Sequence, residues 1–443
     1  MARKYFLETF GCQMNFHDGE RMAGLLEADG YHPASSEADA DLIVINTCSV
    51  RERAEEKLYS RLGEIRAGAA NRAIRPTIAV TGCVAQQEGD RLLKRTGEVD
   101  VVIGTQALKQ LTTAVHAAEA DHTRVVDIQP YDDVSFPLGI AKPSDPSRAW
   151  ITIIEGCNEF CSFCVVPYTR GHERMRPAKD ILDEVRRAAD SGRREVQLLG
   201  QIVNHYQAPD DASCDFAGLL ERVSAVPGIE RIRFASPHPR HATDRLIAAV
   251  RDLPKVCKHF HLPVQSGSND VLRAMRRRYT REEYLSLVDR LRAGVPGIAI
   301  STDIIVGFPG ETPADFDATM SLVRDVGFTF IYSFKYSPRP NTLAIKRMPD
   351  DVLESDKTAR IMALQALQAE VQLRFHKSQI GQVVEVLVES RSRRRDSELA
   401  GRTRGWTSVN FPGPIEWIGR LVPVRITEAA PNSLRGRAEH DAH

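Results

Sequence analysis

Apolar and polar positions follow three successive patterns along this 443-residue chain. From residue 1 to about 142, short apolar runs alternate with helical stretches. The runs are "YFLETFGC", "DLIVINTC", "PTIAVTGC" and "DVVIG". The stretches between them place Met22, Leu25 and Leu26, then Leu58, Leu62 and Ile65, then Leu92 and Leu93, at helical spacing. Alternation of this kind predicts a parallel sheet covered by helices. "AKPSDPSR", Ala141 to Arg148, carries two prolines and little apolar content, and reads as a linker. A second alternating region runs from Trp150 to about Ser337. Its strands are "WITII", "EVQLLG", "RIRFAS", "HFHLPV", "IAISTDIIVGF" and "FTFIYSF". Between them, "KDILDEVRRAADSG" puts Ile181, Leu182, Val185 and Ala189 on one helical face. Six strand–helix repeats are too few for a closed eight-stranded barrel and predict an open one. A long helix from about Asp351 to Lys377 follows. After it the helical period disappears. "QVVEVLVES", "ELAGRTRGWTSVNF" and "LVPVRITEAAPNSLRGR" are short strands and turns, as in a small β-barrel.

The expected fold is therefore α/β in three parts. Residues 1–142 form an N-terminal parallel-sheet α/β domain, 148–377 a central partial (β/α)6 barrel, and 378–441 a small C-terminal β-barrel. No solenoid repeat and no low-complexity tract interrupts this order.

Composition narrows the class. The chain is 42% hydrophobic and 27% charged, ordinary for a soluble globular protein. It has no apolar run long enough for a membrane span. "MARKYFLETFGC" reads as a strand of the fold and lacks the features of a signal peptide, so a cytoplasmic location is expected. In a reducing cytosol, clustered cysteines are metal ligands or catalysts more often than disulfides. The 59 basic residues balance 59 acidic ones, which argues against coating nucleic acid through bulk charge. A local basic patch stays open.

Six of the eight cysteines carry the candidate chemistry. In "EGCNEFCSFCVVPYTRG", Cys157, Cys161 and Cys164 follow the first strand of the second region, at the carboxyl end where α/β active sites form. A zinc site would want a fourth ligand. None stands at suitable spacing; His172 could be proposed, but nothing else supports it. A cubane iron–sulfur cluster takes four cysteines for full ligation, so three leave one iron open to a substrate or cofactor. Cys12, Cys48 and Cys83 are far apart, yet each ends a strand: "ETFGC", "VINTC" and "AVTGC". Carboxyl ends of parallel strands share one edge, so these three should converge. The glycines before Cys12 and Cys83 would let the backbone approach a bulky cofactor. Three buried cysteines acting as small apolar residues is the competing account. Cys214 and Cys257 fit neither set and read as non-ligands.

The CxxxCxxC spacing after such a strand resembles the radical S-adenosylmethionine superfamily, and "GCNEFCSFCVVPYTRG" resembles its methylthiotransferases over essentially the whole chain. The resemblance implies a 4Fe-4S cluster on Cys157, Cys161 and Cys164. Its open iron would chelate S-adenosylmethionine, whose reduction gives methionine and a 5′-deoxyadenosyl radical. "TFGCQMN", "NTCSVRERAEEK" and "TGCVAQQEG" resemble the segments that ligate an auxiliary 4Fe-4S cluster, here through Cys12, Cys48 and Cys83. The resemblance implies that this cluster would hold the sulfur to be transferred, or its methylated form. Polar and glycine positions at later strand ends match cofactor-binding segments of the superfamily: Gly200, Gln201, Gln265, Ser266, Asp303 and Gly307, with Gly310 close by. Ile202 departs from the pattern, where relatives often carry asparagine.

Arg391, Arg393, Arg394, Arg395, Arg402 and Arg404, with Trp406 just beyond, offer phosphate and base contacts. "PNSLRGR" resembles the end of a TRAM domain, an RNA-binding barrel. "RAMRRRYTR", Arg273 to Arg281, could extend the surface. "GCQMN" favours the family branch that converts N(6)-isopentenyl adenosine at position 37 of tRNA to its 2-methylthio derivative. In that branch S-adenosylmethionine serves as both methyl donor and radical source. The implied partners are the tRNA anticodon stem-loop, an electron donor protein and a sulfur source, with a monomeric enzyme and no membrane. The rivals are methylthiotransferases for threonylcarbamoyl-adenosine or a ribosomal-protein aspartate, and a non-catalytic metal-containing RNA-binding protein.

Overall fold

The structure is a computed structural model that describes residues 3–49, 52–69, 75–131, 140–142 and 145–439. Residues 143–144 of the expected linker and the expected end of the last domain at 441 lie outside the described residues. The chain forms two compact units. The first comprises Met1–Ser144, Ile154–Glu159 and Cys164–Arg176; the second comprises Asp145–Ile153, Phe160–Phe163 and Pro177–His443. The "EGCNEFCSFCVVPYTRG" segment thus contributes to both.

In the first unit, six parallel strands form one sheet. Their spatial order is His32–Pro33, Lys4–Thr9, Leu42–Thr47, Thr77–Gly82, Val101–Ile103 and Val125–Asp127. The central strand, LIVINT, is buried at all six positions, as a strand covered on both faces must be. Alternate residues serve opposite faces. Leu42 and Val44 pack with Met22, Leu26, Leu111 and Val115 from helices Gln13–Ala28 and Leu111–Asp121. Ile43 and Ile45 pack with Leu58, Leu62, Ile65 and Leu92 on the other face. The short edge strands His32–Pro33 and Val125–Asp127 add to the four strands expected from the pattern.

In the second unit, six parallel strands stand in sequence order as two three-stranded ribbons. One holds Arg148–Thr152, Glu195–Leu199 and Arg231–Phe234; the other holds His259–His261, Ala299–Val306 and Phe330–Lys335. A parallel bridge between Ile232 and Val256 carries the chain from one ribbon towards the next. This is the open barrel expected from six repeats. Helix Ala178–Asp190 buries Ala178, Ile181, Val185 and Ala188, so its apolar stripe runs one position away from the expected Ala189. The long helix spans Glu354–Lys377.

Five strands close the C-terminal barrel in the order Val383–Arg391, Glu398–Thr403, Ser408–Pro412, Leu434–Ala438 and Leu421–Ala429. Its core is Val386, Val388, Leu399, Val409, Phe411, Val422, Val424, Ile426 and Leu434. Two buried arginines of the open barrel hold it. Arg231 donates to the Glu385 carbonyl at 2.7 Å and the Arg402 carbonyl at 2.9 Å. Arg233 donates to the carbonyls of Thr403 at 2.6 Å and Arg404 at 2.9 Å. Charge-assisted bonds of this kind satisfy carbonyls that would otherwise lose water on burial.

Candidate metal centres

Cys12, Cys48 and Cys83 follow the ends of three neighbouring strands, whose register pairs Thr9 with Asn46 and Thr47 with Gly82. The edge therefore brings residues 12, 48 and 83 together. The Cys48 thiol lies in hydrogen-bonding contact with both Cys12 and Cys83. Cys48 and Cys83 are almost wholly buried. The bond from Cys48 pulls Cys12 down to about 7 and Cys83 down to about 6, against burial and with help from the Arg170 cation. Cys48 is driven up by the same two bonds.

Two fully buried asparagines hold the edge in register. The Asn15 side-chain amide donates to Asn46 Oδ1 at 3.3 Å and the Thr47 carbonyl at 3.1 Å, and Asn46 donates to the Asn15 carbonyl at 2.7 Å. The Cys12 thiol donates to Asn15 Oδ1 at 3.0 Å. The glycines before Cys12 and Cys83 also serve the packing of the turns. Gly11 has φ +121° and Gly82 has φ +90°, the region that favours glycine. A Cβ on Gly11 would strike the Cβ of Cys48, and one on Gly82 would strike Asn46 and the Thr47 carbonyl. These glycines let the three turns approach one another.

A buried charge network adjoins the thiols. The Arg170 guanidinium, 4% exposed, pairs with Asp18 at 2.6 Å and donates to Cys83. Arg21 pairs with Glu155 at 2.9 Å. Burial works against the Glu155 charge, but Arg21 and Arg170 outweigh it and hold the carboxyl below its usual range. Breaking such a buried pair from one side typically removes about 3–5 kcal/mol. Three soft donors in contact, two of them biased towards thiolate beside a fixed cation, fit an iron–sulfur cluster.

Of the CxxxCxxC set, Cys157 and Cys164 belong to the first unit and Cys161 to the second. The Cys157 amide donates to the Gly171 carbonyl at 3.1 Å, beside the short ladder of Ile154–Glu155 with Arg174–Met175. His172, the other ligand considered, contacts Asn158 Oδ1 through Nδ1 at 3.0 Å. Cys161 Sγ accepts from Arg277 at 3.4 Å. The Cys161 thiol thus faces a buried cation, and a thiolate is a donor that iron–sulfur clusters take. Cys214 and Cys257 are buried, and burial pushes both thiols up.

The strand-end candidates divide into two groups. Gln265, at φ +74°, is bonded through its backbone to Asp303 and Ile305. The Asp303 carboxylate lies 3.4 Å from His261. Gln201 follows the buried Gly200, and its buried Oε1 has no hydrogen-bond partner among the described residues. Ser266 is wholly buried against Thr319, with oxygens 3.3 Å apart, and the Gly307 amide donates to Glu311 at 2.6 Å. These two have packing partners. Ile202 is buried.

Arg391, Arg393, Arg394 and Arg395 are exposed around the turn after Val383–Arg391. Arg402 and Arg404 are turned towards the open barrel: Arg402 lies 4.3 Å from the Trp406 ring centroid and 3.5 Å from Glu389, and Arg404 contacts Glu385 and the Pro254 carbonyl. Trp406 also stacks on His259 and lies under Arg233, so it joins the two barrels. Arg277, read within "RAMRRRYTR" as a residue that could extend the RNA surface, is instead buried; Arg170 and this role of Trp406 are absent from the sequence reading. The one available signal is the position of Arg170 shortly after Cys164 in "PYTRG".

Residues 4–104 match the family described as "Uncharacterized protein family UPF0004", 151–323 the Radical SAM superfamily, and 377–438 the TRAM domain. The tRNA-2-methylthio-N(6)-dimethylallyladenosine synthase of Syntrophotalea carbinolica is 44% identical, over 98% of this chain and 99% of that protein. The protein of the same name from Geobacter metallireducens is 47% identical, over 97% of each. Among solved structures, the radical S-adenosylmethionine methyltransferase TsrM from Kitasatospora setae aligns with TM-score 0.56 at 16% identity, covering 77% of both chains. That likeness shows the fold shared by the two proteins. The near full-length match to named relatives goes further: this chain belongs to the tRNA-2-methylthio-N(6)-dimethylallyladenosine synthase family.

Proposed function

We propose that this chain attaches a methylthio group to carbon 2 of N(6)-isopentenyl adenosine at position 37 of tRNA, with S-adenosylmethionine as methyl donor and radical source. The observation that carries the reading is the meeting of Cys12, Cys48 and Cys83 beside Arg170. It is supported by relatives of that name over nearly the whole chain. Cys12, Cys48 and Cys83 would hold one 4Fe-4S cluster, and Cys157, Cys161 and Cys164 a second. When bound, the two clusters supply the electron that cleaves S-adenosylmethionine and an iron that carries the transferred sulfur. The residues of the chain position and shield this chemistry. The Asn15–Asn46 pair fixes the directions from which Cys12 and Cys48 enter. Arg170 offsets thiolate charge, and burial excludes water from Cys48 and Cys83. Gln201 and Asp303 offer side-chain polar groups to S-adenosylmethionine; Gly200, Gln265, Ser266 and Gly307 shape the same strand ends. No side-chain general base is needed, because hydrogen abstraction by a radical replaces proton removal.

We assign tRNA contact to the exposed Arg391, Arg393, Arg394 and Arg395, with Arg402 and Arg404 shaping the same barrel. The domain division at 1–142, 148–377 and 378–441, the anticodon stem-loop as the bound element, a separate electron donor, a sulfur source, a monomeric state and a cytoplasmic location belong to the same reading. Among the described residues, no helix is long and apolar enough to cross a membrane. Nucleoside mass spectrometry of tRNA from cells lacking this protein tests the substrate. The expected result is loss of 2-methylthio-isopentenyl adenosine with accumulation of isopentenyl adenosine. An unchanged 2-methylthio peak there rejects the assignment.

A further inference from the structure

The segment "RAMRRRYTR" turns one arginine inward among several that face out. Arg273, Arg276 and Arg278 are exposed, whereas Arg277 is 6% exposed. Its guanidinium donates in three directions: to Cys161 Sγ at 3.4 Å, to the Pro263 carbonyl at 2.9 Å and to the Tyr279 hydroxyl at 2.8 Å. The Tyr279 ring lies 5.2 Å from it, and the Tyr279 hydroxyl is shared between the carbonyls of Pro263 and Val264. Both flanking residues are left-handed, with φ +58° at Arg276 and +54° at Arg278. Arg276 closes helix Asn269–Ala274, its amide on the Arg273 carbonyl at 3.0 Å and the Arg277 amide on the Leu272 carbonyl at 2.9 Å, so the helix end itself fixes the backbone of Arg277.

The same turn holds the loop of the cysteine. The Ser162 amide donates to the Met275 carbonyl at 3.1 Å, and its hydroxyl to the Ala274 carbonyl at 2.7 Å. The Ser162 carbonyl accepts from Ala344 at 2.8 Å, and Phe163 packs edge-on against Phe308. Cys161 and Arg277 are therefore fixed relative to each other through the sulfur and through the residue that follows it. A guanidinium keeps its charge under all conditions the protein meets, so this is a permanent cation on one thiol. A thiolate that ligates a metal keeps lone pairs that accept such a bond. Donors and positive charge at ligand sulfurs favour the reduced, more negative state of an iron–sulfur cluster.

We infer that Arg277 is a positioning residue for the Cys157, Cys161 and Cys164 set, a buried donor that fixes the Cys161 sulfur and raises the reduction potential of the cluster held there. The inference rests on the proposed function, which gives these cysteines a cluster. A purely structural Arg277 would affect stability and leave the potential in place.

The test uses the full chain, reconstituted anaerobically, as native protein, R277Q and R277K. Iron and sulfide are counted per chain. The paramagnetic signal that responds to S-adenosylmethionine is then followed through a redox titration. In R277Q the reduced-to-oxidised ratio at a fixed potential should fall about tenfold, a shift of about 59 mV to more negative potential for one electron. R277K should fall between R277Q and native protein, because it keeps the charge without the planar fork. Where R277Q retains no cluster, R277K decides: a midpoint below native supports the inference, and a native midpoint overturns it. An R277Q midpoint equal to native, at equal iron content, also overturns it. A native chain with no such signal and iron far below about eight per chain would instead refute the cluster reading itself.

Discussion

The two three-cysteine sets are built by opposite means. Cys157, Cys161 and Cys164 sit within one short loop, yet that loop is divided between two compact units. Cys12, Cys48 and Cys83 are spread over the first part of the chain, yet their thiols touch. Sheet register brings the distant set together, because three adjacent parallel strands end at one edge. The loop set takes its direction from outside, with Arg277 and the Met275 carbonyl holding Cys161 and Ser162. Charge support is exchanged as well. The arginine of "PYTRG", next to the loop set in sequence, donates to Cys83 of the distant set. Nearness in sequence is thus a poor guide to which side chains serve a site.

The comparison is broken most completely by deleting one thiol from each set. Cys161→Ala should abolish S-adenosylmethionine cleavage and all 2-methylthio product. Cys48→Ala should keep uncoupled cleavage, read as 5′-deoxyadenosine, and lose the product. Product from Cys48→Ala would remove the distant set from the chemistry.

A smaller effect separates sheet-edge geometry from backbone strain. Gly82 and Gly192 both have positive φ, +90° and +84°. A Cβ on Gly192 meets nothing within 4 Å, whereas one on Gly82 meets Asn46 and the Thr47 carbonyl. Gly192→Ala should lower stability by about 1–2 kcal/mol through strain alone. Gly82→Ala adds overpacking and should lower it by about 3 kcal/mol, read from urea midpoints. It should also lose about half of the bound iron, and Gly192→Ala none. Equal iron in the two variants would mean that the edge does not set the thiols.

Much of this architecture is legible in the residue pattern. The six strands of the open barrel are apolar runs of strand length, and the long helix from Glu354 keeps its period. The convergence of Cys12, Cys48 and Cys83 is readable because strand ends in a parallel sheet have one geometry. His32–Pro33 and Val125–Asp127 are too short to carry a pattern, and they exist because neighbouring strands offer them partners. Arg170, Arg277 and Trp406 stand in loops and turns, where no period tells inward from outward. Arg276 is the left-handed residue that closes helix Asn269–Ala274, with the Arg277 amide on the Leu272 carbonyl, and Arg278 is left-handed after it; between them Arg277 turns inward. Arg402 and Trp406 follow the same logic: an arginine-rich stretch that reads as an RNA surface also supplies the contact between two barrels.

The smallest effect sharpens the contrast through pH. Among the described residues, the histidines held below their ordinary value, His238, His259 and His376, all lie in the second unit. Burial lowers His238 to about 2, with the Arg277 cation adding to it, and its ring lies 5.8 Å from Tyr279. Burial and Arg233 hold His259 down beside Trp406. A histidine whose folded value lies below its unfolded value of about 6.5 takes up a proton only on unfolding. Stability is then kept above about pH 6.5 and declines as pH falls below it. Between pH 7.5 and 5.5 His238 alone should remove about 1.4 kcal/mol. Urea midpoints of the native chain and His238→Asn at the two values measure one share of this loss. The variant should recover about 1.4 kcal/mol of the acid-induced decline, because asparagine has no proton to take up. If His238→Asn declines as steeply as native protein, the neutral histidine beside Arg277 is not what makes the loop set's support sensitive to acid.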